Sequence, residues 1–171
     1  MTTGTLPEDV RPTPPDNGPE RESIAGFLDF LRETVIWKST GLSDADAARP
    51  LLPSPTTVPG LIQHLTDVER SWFRTDMEGE VGVPERRTAD DRDGAFRVAA
   101  DVSLDDLIAD YRAACDESRA VVARHQLDDR CALHDHRYTL RWIMLHMIEE
   151  TARHAGHIDI LRELLDGVTG E

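Results

Sequence analysis

Four polar side chains recur at helical spacing near the carboxyl end of the sequence: His146, Glu150, His154 and His157. Intervals of four, four and three residues place all of them on one side of a helix. Glu150 and His154 lie nearest the apolar stripe of that helix, whereas His146 and His157 lie farther round. A carboxylate that faces a bundle interior needs a partner, because burying an unpaired ion costs several kcal/mol.

His64 is the candidate partner from a second helix, where it flanks an apolar stripe that includes Leu61 and Leu65. A His from one helix and a Glu–His pair at i, i+4 on another supply three ligands for Zn²⁺, with Ni²⁺ or Fe²⁺ as alternatives. Such a set leaves coordination positions open for water or substrate, which is typical of catalytic metal sites. Glu and His at this spacing also form ordinary surface pairs. The residues alone therefore leave a metal site and a surface pair both open.

Helices are needed to position these side chains, and the sequence predicts four of them. Apolar residues recur at intervals of three and four over residues 20–40, 58–78, 103–125 and 139–166. Candidate N-caps stand at the start of three of these segments, at Thr57, Ser103 and Thr139, and glycines follow two, at Gly41 and Gly167. No segment has a convincing strand pattern. Because each helix has one apolar face to cover, we predict an all-α, single-domain four-helix bundle.

The amino-terminal segment has a different composition. Residues 1–19 contain five prolines and few apolar side chains, so they cannot bury enough surface to offset the entropy of ordering. We predict a mobile tail over residues 1–19 and a metal-binding domain over residues 20–171.

Charge and composition limit the classes of partner. The 171 residues include 33 Asp and Glu against 19 Lys and Arg, a net charge of −14, which is the wrong sign for neutralising phosphates. Nucleic acid is therefore not an expected partner. A membrane is not expected either, since no stretch approaches about 20 consecutive apolar residues. The first 25 residues lack a secretory pattern, and Cys115 and Cys131 are expected to be free thiols. A cytoplasmic protein is predicted, and its Arg, Ala and Asp bias indicates a bacterium with a G+C-rich genome.

Two segments carry a resemblance to a known family. They are GLIQHLTDVERSWF, from Gly60 to Phe73, and WIMLHMIEETARHAGHIDILR, from Trp142 to Arg162. They resemble the DinB-like superfamily, most closely its mycothiol-dependent, maleylpyruvate-isomerase-like branch, and the resemblance spans about residues 20–166. It implies a four-helix bundle with a metal at the edge of its core. It also implies the ligand set and the neighbouring residues of that metal: His64, Glu150 and His154 as ligands, with His146 and His157 beside them or facing substrate. Arg153 is a further candidate for the surroundings of the site, because its positive charge would offset the acidity of the protein toward a carboxylated thiol.

The resemblance also implies an activity. A divalent metal would lower the pKa of a low-molecular-weight thiol such as mycothiol and hold it as the thiolate, which would attack a small electrophile. A hydrolase that uses metal-bound hydroxide would work by closely related chemistry and is one alternative.

A stress-associated interaction protein without turnover, with or without a metal, is the alternative from another class. A homodimer is a further option, although the sequence nominates no face for it. Many superfamily members have Gln where this sequence has His157.

A second group of potential ligands lies in a polar loop. Cys131, His134 and His136 form a Cys-x-x-His-x-His pattern, but a fourth ligand is missing, and solvated loop residues are the simpler interpretation. Cys115 is predicted to be buried and to pack as a small hydrophobic residue. Trp72, together with other large apolar residues, is expected to belong to the core or to line a pocket.

Overall fold

The computed structural model describes residues 6–169. Five α-helices follow one another along this part of the chain: α1 (Glu20–Ser39), α2 (Asp44–Ala47), α3 (Val58–Arg70), α4 (Leu104–Arg124) and α5 (Leu140–Asp166). Since α2 is a single turn, the other four form the bundle. Residues 6–169 contain no β-strand, only an isolated antiparallel bridge between Arg130 and Thr139. The predicted all-α, single-domain four-helix bundle is confirmed. None of the described helices has the length and apolar character that a membrane span requires.

Local hydrogen bonds set the helix ends that the sequence predicts. Three side-chain hydroxyls each accept a hydrogen bond from the backbone N–H three residues later, namely those of Thr57, Ser103 and Thr139. Gly167 follows α5 with φ of 79°, a conformation that side chains with a Cβ rarely adopt. The caps satisfy backbone groups that would otherwise lack a partner at the helix ends.

The second predicted helix differs from expectation in its last two turns. We predict a regular helix to Glu78, but the chain changes to a π-helix over Ser71–Met77. The i to i+5 hydrogen bonds of a π-helix widen the backbone, and such segments are frequent at functional sites. Apolar periodicity over so few residues does not distinguish the two helix types. The π-helix buries Phe73 in the core and leaves the adjacent Trp72 half-buried.

The bundle packs as two helix pairs. α1 lies against α5, α3 lies against α4, and α3 also contacts α5. Two clusters of buried side chains fill the interior. The first surrounds α3 and includes Leu61, Ile62, Leu65, Tyr111 and Ile158. The second surrounds the π-helix and includes Phe73, Met77, Leu140, Ile143 and Met147. The helix that carries His64 is thereby held against α5 by apolar contacts.

Buried charges add directional contacts between helices. Arg32 of α1 donates two hydrogen bonds to Glu69 of α3, at 2.7 and 2.6 Å, and both side chains are almost fully buried. Arg162 of α5 donates to the carbonyl oxygens of Lys38 and Thr40, at 2.8 and 2.7 Å. These two carbonyls lie at the carboxyl end of α1, where the helix itself provides no donor. The contacts fix the position of α1 relative to α3 and α5.

The described part of the amino-terminal segment, residues 6–19, forms no helix and lies against α1. The Trp37 indole N–H donates to the carbonyl of Pro7 at 2.9 Å. The Arg11 guanidinium lies 4.3 Å from the centroid of the Trp37 ring and donates to Thr34 Oγ1 at 3.0 Å. Residues 1–5 of the predicted tail lie outside the described residues. The mobility of residues 1–19, and the domain boundary at residue 20, stay predictions.

Candidate metal centre

The three residues expected to be metal ligands meet between α3 and α5. His64 projects from α3, and Glu150 and His154 project from successive turns of α5. Glu150 Oε1 lies 3.1 Å from His64 Nε2 and 3.1 Å from His154 Nε2. One potential ligand atom from each residue lies within 4.8 Å of the other two. The structure thus brings together side chains that are 86 residues apart in sequence.

Ring contacts hold the two imidazoles in place. The His64 ring stacks on Phe96, with centroids 4.8 Å apart and planes 19° apart. The ring of His154 meets His64 edge-on, at 4.8 Å and 77°. Phe96 belongs to the 3₁₀ turn Gly94–Phe96 in the long connection before α4. This connection therefore contributes to the site, although its polar sequence gave no reason to expect it.

Contacts with two histidines keep the partly buried Glu150 carboxylate ionised. His154 is 8% exposed, and the side chains of His64 and Glu150 are each 15% exposed. Hydrogen bonds from His154 and then from His64 hold the pKa of Glu150 well below its ordinary value, outweighing the effect of burial. Glu150 is therefore ionised at neutral pH.

The donor set fits a divalent metal ion. Two imidazole nitrogens and one carboxylate oxygen are the ligands of many catalytic zinc sites. Ligand atoms at about 2.1 Å from an ion in tetrahedral geometry stand about 3.4 Å from one another. The two N···O separations of 3.1 Å are close to that spacing. Three ligands leave at least one coordination position for a further molecule.

His157 contacts the back of one candidate ligand. Its Nδ1 lies 3.2 Å from Nδ1 of His154, on the side of the ring opposite the nitrogen that faces Glu150. Desolvation, followed by electrostatic contributions from the neighbouring His154 and Arg153 side chains, lowers the pKa of His157. A neutral His157 ring can accept the Nδ1–H of His154. His154 Nε2 is then the nitrogen that would bind a metal, in place of the proton that it shares with Glu150 Oε1 when no metal is bound.

The other two expected neighbours occupy different places. Arg153 Nη1 lies 4.0 Å from Glu150 Oε2, so it pairs with the oxygen that the histidines do not use. His146 does not join the three candidate ligands. Its ring stacks on Trp142 with centroids 5.2 Å apart, and its Nδ1 lies 3.6 Å from Glu149 Oε2.

Comparison with known proteins identifies the family. A family model described as mycothiol-S-transferase matches residues 23–167, from α1 to the end of α5. The chain belongs to the mycothiol-S-transferase family. The resemblance to the DinB-like superfamily and its mycothiol-dependent branch is confirmed by this match. All three candidate ligands of this family member lie inside the matched region.

Two further comparisons concern sequence and fold. No curated protein sequence gives a significant match to this mycothiol-S-transferase family member. A solved structure, the conserved protein of locus from Enterococcus faecalis, is similar to it with a TM-score of 0.62 and 17% sequence identity. The similarity covers 89% of this chain and 100% of that chain. At this identity the likeness shows the fold alone.

The second potential ligand group does not converge. Cys131 Sγ donates to the Leu133 carbonyl at 3.0 Å, whereas His136 Nδ1 lies 2.7 Å from the Cys131 carbonyl. His134 Nε2 lies 3.0 Å from Asp76 Oδ1, in another direction. Over residues 6–169, His64, Glu150 and His154 form the sole group of three suitable ligands. The loop residues serve hydrogen bonding instead.

Proposed function

We propose that this chain is a divalent-metal-dependent S-transferase that joins a low-molecular-weight thiol of the mycothiol type to a small electrophile. The observation that carries the proposal is the convergence of His64, Glu150 and His154 in a member of the mycothiol-S-transferase family. Zn²⁺ is the proposed ion because it is commonly held by two imidazoles and a carboxylate, with Ni²⁺ or Fe²⁺ as alternatives. The proposed compartment is the bacterial cytoplasm.

The chemistry divides between the ion and the protein. When bound, a divalent ion supplies a positive charge that lowers the pKa of a thiol and favours the nucleophilic thiolate. Glu150 contributes a negative charge, and Arg153 places a positive charge 4.0 Å from its second oxygen. His157 orients the His154 ring through the contact at Nδ1. In the overall reaction the thiol sulfur forms the new S–C bond. The thiol proton leaves with the group that the electrophile loses, or is taken up by the adduct when no group is lost.

Cobalt substitution tests this function. We expect Co²⁺ to bind the protein and mycothiol to add a sulfur-to-cobalt charge-transfer band. S-methyl mycothiol is the matched control, because it has no thiol to ionise and should add no such band. The Glu150→Ala variant should show neither the cobalt spectrum nor the effect of mycothiol.

Two other results would contradict the proposal and favour different functions. A cobalt spectrum that mycothiol leaves unchanged would argue against thiol binding at the metal and favour a hydrolase that activates water. A protein that binds neither cobalt nor zinc would favour an interaction protein without turnover.

A further inference from the structure

A pocket beside the candidate metal centre contains residues that the proposed function has not used. Its volume is about 230 Å³. His64 lines it, and so do Trp72 of the π-helix and His134 of the loop before α5. The pocket therefore joins one candidate metal ligand to two aromatic rings from other segments. A molecule seated there lies beside His64, which is one of the three candidate metal ligands.

Neighbouring rings fix the orientation of Trp72. Three rings approach it at centroid distances of 5.6, 5.5 and 4.9 Å, namely those of Tyr138, Trp142 and His146. Tyr138 stacks on Trp142 at 4.2 Å, and Trp142 stacks on His146. We call Trp72, Tyr138, Trp142 and His146 the aromatic cluster. It makes Trp72 a rigid wall of the pocket, with little rotamer freedom to lose when a ligand binds.

The loop that supplies His134 is strained. His134, Asp135 and His136 have φ of 54°, 52° and 58°, a left-handed run of three residues without glycine. Such conformations are unfavourable for residues with a Cβ and persist where surrounding contacts impose them, commonly at ligand sites. Here the contact of His134 Nε2 with Asp76 Oδ1, at 3.0 Å, holds the ring at the pocket. The ring lies 6.3 Å from Trp72.

The charged side chains that line the pocket limit the kinds of ligand that it can bind. Three carboxylates line the pocket, from Asp67, Asp76 and Glu85, together with one guanidinium, from Arg87. Arg86 pairs with Asp67, so carboxylates still outnumber guanidinium groups by three to two. In a chain of net charge −14, this lining disfavours anions.

We propose that this pocket is the electrophile subsite, and that it takes a small, flat, conjugated molecule without a carboxylate, which lies against Trp72. The inference rests on the proposed function, because the subsite is defined by its position beside the candidate metal centre. Stacking on a preorganised indole favours a planar molecule over a puckered ring of the same size. The acidic lining favours an uncharged molecule over an anion.

Binding of unreactive probes tests the subsite without any turnover. 1,3-Dinitrobenzene is flat and uncharged, nitrocyclohexane is puckered, and 3,5-dinitrobenzoate is flat but anionic. In protein free of metal and thiol, 1,3-dinitrobenzene should shift the indole N–H resonance of Trp72 saturably and leave that of Trp37 unchanged. The other two probes should produce at least about fivefold weaker binding. No saturable shift at Trp72, or equal binding of all three probes, would overturn the proposal.

Variants of the aromatic cluster locate the binding surface. Ligand-observed NMR should show about tenfold weaker binding of 1,3-dinitrobenzene to Trp72→Leu, because the stacking surface is lost. Trp72→Phe retains an aromatic face and should bind within about threefold of wild type. Trp142→Leu is the matched control, since Trp142 belongs to the cluster but does not line the pocket. If Trp142→Leu lost as much affinity for 1,3-dinitrobenzene as Trp72→Leu, the assignment of Trp72 as the binding surface would be contradicted.

The design separates this inference from the proposed function. His154→Ala removes a candidate metal ligand but no residue that lines the pocket. Probe binding that survives in His154→Ala, while metal binding is lost, is the expected result. Metal and thiol binding without probe binding would overturn the subsite alone. Probe binding in a wild type that fails to take up added Zn²⁺ or Co²⁺ would overturn the proposed function and leave the pocket as a site for flat ligands rather than an electrophile subsite.

Discussion

Removal of His157 should weaken metal binding although no ligand is lost. Among the described residues, His157 provides the hydrogen-bond contact of His154 Nδ1, at 3.2 Å, on the nitrogen that faces away from Glu150. Outer partners of ligating histidines are typically worth about 10- to 100-fold in metal affinity. His157 is itself exposed, so we expect the lower end for His157→Leu, about tenfold or about 1.4 kcal/mol. Competition against a chelating dye measures the affinity.

Matched variants test the physical reason for this loss. His157→Gln keeps an oxygen that can accept the His154 Nδ1–H, so zinc affinity should stay within about threefold of wild type. His146→Leu changes a histidine of the same helix that does not contact the candidate ligands, and it should leave affinity unchanged. Circular dichroism confirms that each variant folds. Equal zinc affinity in wild type and His157→Leu would refute the positioning role, as would equal losses in the Leu and Gln variants.

Two further predictions concern the stability of the bundle. Arg32→Met leaves Glu69 buried without its partner and should lower the free energy of unfolding by about 3–5 kcal/mol. Adding Glu69→Leu to this variant should restore most of the lost stability. Urea unfolding measures both variants, and an Arg32→Met variant as stable as wild type would contradict the role of the pair. Burial favours the neutral form of Glu117, but hydrogen bonds from Arg70 and Arg74 bring the pKa of Glu117 below its ordinary value of 4.5. Its stabilising effect is therefore complete above that value and is lost as the pH falls through the lower folded pKa. Glu117→Gln should flatten the acid limb of the stability–pH profile, and an unchanged profile would contradict this.

The helices and their ends were predictable because their signals are local. A helix with one buried face repeats apolar residues every three or four positions, and the hydroxyls of Thr57, Ser103 and Thr139 each act within their own first turn. The i, i+4 spacing of Glu150 and His154 is likewise local to α5. That His64 would face this pair was a prediction from its place on the flank of an apolar stripe, which the packing of α3 against α5 supports.

The parts that sequence did not reveal depend on tertiary contacts. Phe96 lies in a polar connection, and its stacking on His64 follows from the path of that connection over the bundle. The left-handed run beginning at His134 contains no glycine to signal it. The contact of Arg11 with Trp37 joins an irregular segment to α1 through a cation and a ring, which composition does not show.

The central claim is that His64, Glu150 and His154 hold a divalent metal ion, and elemental analysis of untagged protein tests it most directly. Wild type should carry one ion per chain, and both Glu150→Ala and His154→Ala should lose it while remaining folded. Glu149→Ala is the matched control, because this neighbouring carboxylate pairs with Arg153 rather than with the candidate ligands, and it should retain the metal. A wild type that stays metal-free after incubation with zinc, or ligand variants that keep a full complement of metal, would contradict the account.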